Sequence, residues 1–178
     1  MSNKVMDGEA FETIVSAHHG EICRYLRRVV GSAGEHADDL SQETFLRAYR
    51  AYASLPRDAN VRAWLFSIAT NLVKNHFRSE VRRRRAYAEV GVMAHDVTEV
   101  APDTDAVSRE TGALVEAAVR RLPLKQRLAF TQRKIHGLDY AAISESLGCS
   151  TESARAHVFQ ALRKIRAVLD GQARLPEE

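Results

Sequence analysis

Apolar residues recur along the chain at steps of three and four, and no sustained period of two appears. The pattern predicts helices and no sheet. Phe11, Ile14, Val15, Ile22, Leu26, Val29 and Val30 outline one or two helices ending at Gly31. After Gly34 a second stripe runs through Ala37, Leu40, Phe45, Ala48, Tyr49 and Tyr52. Leu55-Pro56-Arg57-Asp58-Ala59-Asn60 breaks it with a proline and turn-forming polar residues. A third helix is predicted from about Val61 to Arg85, with Trp64, Leu65, Ile68, Leu72 and Val73 on or near its apolar side. Of its aromatics, Trp64 is assigned to the core, and among Trp64, Phe66 and Phe77 it is Phe66 that is expected to be exposed.

Periodicity lapses over residues 86–110, where small residues, acids, Gly91 and Pro102 dominate. This stretch is expected to be a flexible linker, at most locally helical. Helical spacing resumes at Leu114, Val115, Ala118 and Leu122 and stops at Pro123; a helix from about Lys125 to His136 follows, closed by Gly137. Asp139–Leu147 reads as a short helix with Asp139 as its N-cap and Gly148 beyond its end. The last helix, capped by Ser150 or Thr151, runs to about Asp170 with Ala154, Val158, Ala161, Leu162, Ile165 and Leu169 on its stripe. The expected fold is all-α: two small helical domains, residues 8–85 and 111–171, joined by a flexible acidic linker, the C-terminal domain a helix-turn-helix.

Charge sharpens this division. The 178 residues carry a net charge of only +3, but it is segregated. Residues 57–85 hold eight Lys/Arg against two Asp/Glu, and residues 111–170 hold ten against five. Between them, residues 86–110 hold one basic residue against six acids. Two basic blocks separated by an acidic one fit two polyanion-binding surfaces with a connector that avoids the polyanion, although solvated helix faces give the same signal. Arg82-Arg83-Arg84-Arg85 sharpens the choice, because four adjacent like charges repel unless something anionic lies nearby. No apolar run approaches the ~20 residues that span a bilayer, and residues 1–9 have no apolar core for a signal peptide. Cys23 and Cys149 form neither a disulfide framework nor a zinc spacing. A cytoplasmic, reduced protein without membrane insertion is expected.

The stretch from Asp139 to Ile165 carries the most chemistry. A short helix, a glycine-containing turn and a longer helix match a helix-turn-helix, with Ile143 and Leu147 packing on Val158 and Leu162. An ordinary helical hairpin would give the same pattern. The opposite face of the second helix bears Glu152, Ser153, Arg155, Ala156, His157, Gln160, Arg163 and Lys164. In a DNA reader its first turns meet base edges in the major groove: Arg155 can fork to guanine, Gln160 can pair with adenine, and Ser153 can reach base or phosphate.

Asp38-Asp39-Leu40-Ser41-Gln42-Glu43-Thr44-Phe45-Leu46-Arg47-Ala48-Tyr49 and Trp64-Leu65-Phe66-Ser67-Ile68-Ala69-Thr70-Asn71 resemble two signature stretches of the polymerase-binding domain of extracytoplasmic-function sigma factors, a group of the sigma-70 family. Leu122-Pro123-Leu124-Lys125-Gln126-Arg127, Gly137-Leu138-Asp139-Tyr140-Ala141-Ala142-Ile143 and Leu147-Gly148-Cys149-Ser150 resemble the group's fourth region. The resemblance implies a transcription initiation factor that binds core RNA polymerase, directs it to promoters and helps open the −10 element. Asp39, Gln42, Glu43 and Leu46 match the polymerase-docking helix; their spacing puts two acids, an amide and a leucine on one face. Asn71, Lys74, Asn75 and Arg78 match the −10 reader, and the loop Leu55–Asn60 matches the segment that captures a flipped base. Ser153, Arg155, Ala156, His157, Gln160 and Lys164 match the −35 reader. Here the chain departs from the common pattern: Ser150 replaces a frequent proline, Ala156 a frequent serine, and His157 and Gln160 frequent arginines. The group's base preference is therefore not carried over, and no −35 sequence is assigned. The acidic linker matches a connector that threads polymerase channels, and the group implies an anti-sigma factor among the partners.

No phosphate-cradling glycine loop, nucleophile elbow or HExxH pair is present. His18 and His19 diverge by about 100° on a helix and read as a solvated pair. Neither catalysis nor a cofactor is expected. Two other readings compete with a promoter-specificity subunit: a helix-turn-helix regulator binding its operator as a dimer, and a nucleic-acid-modifying domain using His18, His19 or His157.

Overall fold

The structure, a computed structural model, describes residues 3–31, 34–89 and 108–172. Among them are seven α-helices and no strand. The chain divides into two compact units, Met1–Val100 and Ala101–Glu178.

In the first unit α1 (Asn3–Val30), α2 (Gly34–Tyr52) and α3 (Val61–Glu89) pack each against the other two. The first stripe forms one unbroken helix. Gly31 closes it at φ 99°, with its N–H donating to the Arg27 carbonyl at 3.0 Å. A residue with a Cβ would be strained in that conformation. Ile22, Leu26 and Val29 of α1, Phe45 and Ala48 of α2, and Leu65, Leu72 and Val73 of α3 are buried together. Phe66 corrects the sequence reading: it is fully buried, its ring 4.9 Å from that of Tyr25, while Trp64 lies half-buried at the margin. The reason is geometric. The first half of α3 is packed on by both neighbouring helices, so its buried arc is wider than one stripe and takes in Phe66 as well as Leu65.

Two polar contacts hold this core in register. The hydroxyls of Tyr25 and Thr70 lie 2.8 Å apart in the interior, and Cys23 Sγ sits 3.0 Å from Ser41 Oγ. At the start of α3, Asn60 accepts the Ala63 N–H on its side chain at 3.0 Å and the Trp64 N–H on its carbonyl at 2.9 Å. This N-cap ties the Leu55–Asn60 turn to the helix. The other end of α3 continues past Arg85 to Glu89. Residues 90–107, which hold most of the expected linker with Asp96, Glu99, Asp103 and Asp105, lie outside the described residues.

The second unit contains α4 (Ser108–Arg120), α5 (Leu124–Phe130), α6 (Tyr140–Leu147) and α7 (Thr151–Gln172). The helix expected from Lys125 to His136 is an α-helix only as far as Phe130 and then opens into a π-helical turn, Thr131–Ile135. The His136 N–H reaches the Thr131 carbonyl at 3.2 Å, five residues back. The widened turn buries Gln132, whose side-chain oxygen accepts the Ser146 hydroxyl at 2.8 Å. α6 is bounded as the sequence predicts. Asp139 Oδ1 accepts the Ala142 N–H at 2.7 Å, and Gly148 closes the helix in the left-handed region at φ 66°. Ser150 is the cap of α7, its hydroxyl accepting the Ser153 N–H at 3.1 Å.

Leu128, Ile143, Leu147, Ala154 and Val158 are buried in the helix-turn-helix core. A second cluster joins Ala118, Val119, Leu122 and Phe130 to Ala161 and Ile165 of α7. Leu162, placed on the buried stripe by its spacing, is 39% exposed. Ala161 takes the core position beside it, and a helix turns about 100° between the two.

Candidate nucleic-acid and partner interfaces

On α2 the four residues singled out by sequence share the outer face. Asp39 and Gln42 are exposed, Glu43 is half-buried, and Leu46 is 44% exposed. Ala37, Ser41, Thr44, Phe45 and Ala48 are buried in the same helix, so this face is what packing leaves over. Arg47 Nε donates to Glu43 Oε1 at 2.6 Å, and Arg27 pairs with Asp38 at 2.9 Å. Both pairs are solvent-exposed, so they orient side chains more than they stabilise the fold. Tyr49, one turn beyond Phe45, is also exposed, its ring edge-on to Phe11 at 5.3 Å.

On α3 the structure brings Asn71, Lys74, Asn75 and Arg78 into one polar row. Lys74 Nζ donates to Asn71 Oδ1 at 3.1 Å, and Arg78 donates to Asn75 Oδ1 at 3.4 Å. Each amide oxygen is engaged by a cation, so the amide N–H groups remain to meet base or phosphate acceptors. His76, in the same stretch, lies 5.1 Å ring-to-ring from His36 of α2. Burial first, then the His36 charge, lowers its pKa below the ordinary imidazole value, with Glu80 opposing and Arg83 reinforcing.

The start of α3 is fixed from α1. Arg62 makes two hydrogen bonds to Glu21, 2.9 Å from Nε and 2.5 Å from the terminal nitrogen, and its guanidinium lies 5.4 Å from the Phe66 ring. The carboxylate, chiefly through the hydrogen bond, raises the Arg62 pKa. Beside this tie a cleft of about 630 Å³ opens, lined by Ile14, Tyr52, Ala53, Leu55, Pro56, Arg57 and Val61. It has an aromatic ring, aliphatic side chains and one guanidinium at the loop that the resemblance marks for base capture.

On α7 the expected face divides. Arg155, Ala156, Gln160, Arg163 and Lys164 are exposed, whereas Ser153 and His157 are half-buried. Ser153 Oγ is 2.9 Å from Ser150 Oγ in the cap. His157 is held below its ordinary pKa by burial and then by Lys125, which favours neutral imidazole. Gln160 accepts a hydrogen bond from Gln126 Nε2 at 2.7 Å. The guanidinium of Arg155 lies over the Tyr140 ring at 5.4 Å, and that of Arg133 at 4.7 Å. Arg133 also donates to the Leu138 carbonyl at 2.8 Å. Tyr140 and Gln126 escape a motif reading because they reach α7 from neighbouring elements, and Arg133 because it acts through Tyr140. The signal available was an aromatic placed just after the Asp139 N-cap.

Of the histidines read as a solvated pair, His18 is half-buried and His19 exposed, with its ring 5.5 Å from Phe45 and 3.6 Å from Cys23 Sγ. Among the described residues no helix is long and apolar enough to cross a membrane.

A helix-turn-helix unit with a basic reading helix, in one chain with a three-helix unit bearing an acidic face and an asparagine–cation row, defines a bipartite DNA-binding factor. Residues 14–83 match the Sigma-70 region 2 family model, and residues 113–165 match Sigma-70, region 4. An RNA polymerase sigma-H factor of Pseudomonas aeruginosa is 31% identical over 92% of this chain and 88% of its own length. An ECF RNA polymerase sigma-E factor of Haemophilus influenzae is 30% identical over 89% of this chain and 87% of its own. The chain shares its fold with the sigma factor RpoE solved with the anti-sigma factor NepR from Bartonella quintana. That match has a TM-score of 0.70 at 22% identity and covers 91% of this chain and 98% of that one. The chain belongs to the extracytoplasmic-function group of the sigma-70 family. It is a promoter-directing factor of transcription initiation by RNA polymerase.

Proposed function

We propose that the three exposed faces divide the labour of initiation. The outer face of α2, with Asp39, Gln42, Glu43 and Leu46, docks on core polymerase. What carries this is the exposed Leu46 beside carboxylates, in a helix that buries Ala37, Phe45 and Ala48 and leaves Tyr49 as its other exposed large apolar side chain. An apolar anchor inside a polar rim is the composition of a partner-binding surface. Solubility alone would account for the acids and not for the leucine.

The row Asn71, Lys74, Asn75 and Arg78 contacts the −10 element, its amides meeting unstacked bases and its cations the phosphates. The cleft at Leu55–Asn60 receives one extruded base, with Tyr52 available for stacking and Arg57 for a phosphate. Ser153, Arg155, Ala156, His157, Gln160 and Lys164 face the −35 duplex, with Arg155 the foremost candidate for a bidentate base contact. Neutral His157, whose Nδ1 is buried, offers only its Nε2 there, where a charged residue would supply phosphate grip. The nucleotide chemistry is the polymerase's; this chain supplies address and strand opening. As with the RpoE solved with NepR, an anti-sigma factor is the proposed inhibitory partner.

Run-off transcription with purified core polymerase on fragmented genomic DNA tests the reading. Start sites that share a −10 and a −35 motif are expected only when the chain is added. Asp39→Lys with Glu43→Lys is expected to abolish co-purification with core polymerase. Unchanged co-purification would overturn the α2 assignment, and operator binding by a dimer without polymerase would overturn the reading as a whole.

A further inference from the structure

The four arginines Arg82 to Arg85 lie beyond the −10 row, and nothing above gives them a task. α3 carries them in continuous helix to Glu89, and all four are exposed. At about 100° per residue, Arg82 and Arg85 fall within roughly 40° of Arg78, in line with Asn71 and Lys74. Arg83 and Arg84 point more than about 100° away from that line. Arg83 is also paired with Glu80 at 2.8 Å. The helix therefore presents a single file of cations, Lys74, Arg78, Arg82 and Arg85, with the asparagines at one end and exposed guanidiniums at the other.

We propose that Arg82 and Arg85 form a phosphate track for the promoter duplex that adjoins the −10 element. The proposal rests on the assignment of Asn71, Lys74, Asn75 and Arg78 to that element and extends it. Arg78 to Arg85 is seven residues, about 10.5 Å of helix. Duplex rises 3.4 Å per base pair, so the extension covers roughly three base pairs beyond the part read by the asparagines. Its partner is the sugar-phosphate backbone, not the base edges. Guanidiniums in single file, without an amide or hydroxyl between them, neutralise charge and carry no base code.

The register makes this separable from a general effect of positive charge. Arg82→Ala with Arg85→Ala and Arg83→Ala with Arg84→Ala remove the same charge from neighbouring exposed positions, and alanine favours the helix in both. Each variant is assembled with core polymerase, and its affinity is measured across a salt series. The probes are a promoter fragment taken from the run-off experiment and the same fragment with its flanking duplex trimmed to the edge of the −10 element, on one side or the other. Losing two phosphate contacts reduces the slope of log affinity against log salt by about 1.8. Between about 50 and 200 mM salt the variant then loses about 12-fold less affinity than the parent. That change is expected for Arg82→Ala/Arg85→Ala on the full fragment, to vanish on one of the trimmed fragments, and to be absent for Arg83→Ala/Arg84→Ala. Equal effects of the two pairs, or no effect of either, would overturn the track. A change that persists on both trimmed fragments would overturn the duplex as its partner. Asn71→Ala with Asn75→Ala tests the underlying assignment separately: if it leaves discrimination among −10 sequences intact, that assignment fails, whatever the arginines do.

Discussion

Glu21→Ala removes the paired hydrogen bonds that fasten Arg62, and with it the start of α3, to α1. A charge-assisted hydrogen bond contributes about 1.5–3 kcal/mol when well buried. This pair is only partly so, with side chains 36% exposed for Arg62 and 21% for Glu21. Solvent screening lowers the expectation to about 1–2 kcal/mol in total. Alanine is the better helix former, which returns a few tenths of a kcal/mol within α1. The net loss is about 1–1.5 kcal/mol. In a unit of this size each kcal/mol moves the midpoint by about 4–8 °C, so a drop of about 4–12 °C is expected. The chain has one tryptophan, Trp64, two residues along α3 from Arg62. Its fluorescence reads the first unit and is silent on the second. The assay is a thermal melt of the full chain followed at Trp64, alongside helical circular dichroism, which reads both units. A Trp64 midpoint unchanged within about 1 °C would refute the tie. A lowered midpoint for the transition of the second unit would refute the independence of the effect.

Phe66→Ala is expected to cost about 3–5 kcal/mol in the same Trp64 melt, as for any fully buried aromatic; a change under 1 kcal/mol would return Phe66 to the surface. Gly148→Ala puts a Cβ on a left-handed residue at φ 66°. About 1–2 kcal/mol of destabilisation is expected in the second unit, read by circular dichroism. His76 and His157 both have pKa values lowered in the fold, so the unfolded chain binds more protons as pH falls below about 6.5. Their contribution to stability is complete above that value and lost as pH drops through it toward the folded pKa values. Melts at about pH 7.5 and about pH 5.5 should show a smaller acid-induced drop for His76→Gln/His157→Gln than for the parent. Arg155→Ala is expected to cost about 1–3 kcal/mol of discrimination at one −35 position. A uniform loss over all promoters would make it a phosphate contact.

What the sequence disclosed was local: periodicity, caps and the order of motifs. Asp139, Gly148 and Ser150 could be read because a cap is chemistry between residues about three apart. The outward face of α2 followed from spacing for the same reason. Phe66 and Leu162 were misplaced because a stripe gives the direction of a buried face and not its width, which depends on how many helices lie on it. The π-helical turn was invisible for a different cause. An i→i+5 hydrogen bond leaves no mark on a pattern of threes and fours. What Gln132 gains by burial appears only through Ser146, fourteen residues further along. Within the candidate site, Gln160 and Arg155 were legible as exposed residues of α7. Their supports, Gln126 and Tyr140, come from other elements.

The Tyr140 ring touches the guanidiniums of both Arg133 and Arg155, and its own position is fixed by the Asp139 cap. An arginine resting on an aromatic plate has shed part of its rotameric freedom before any promoter arrives, so less entropy remains to be surrendered on binding. On the proposed −35 contact of Arg155, retuning of this factor toward new promoters can proceed from behind α7. Exchanging the plate would loosen or re-aim the arginine while every base-facing side chain stayed the same.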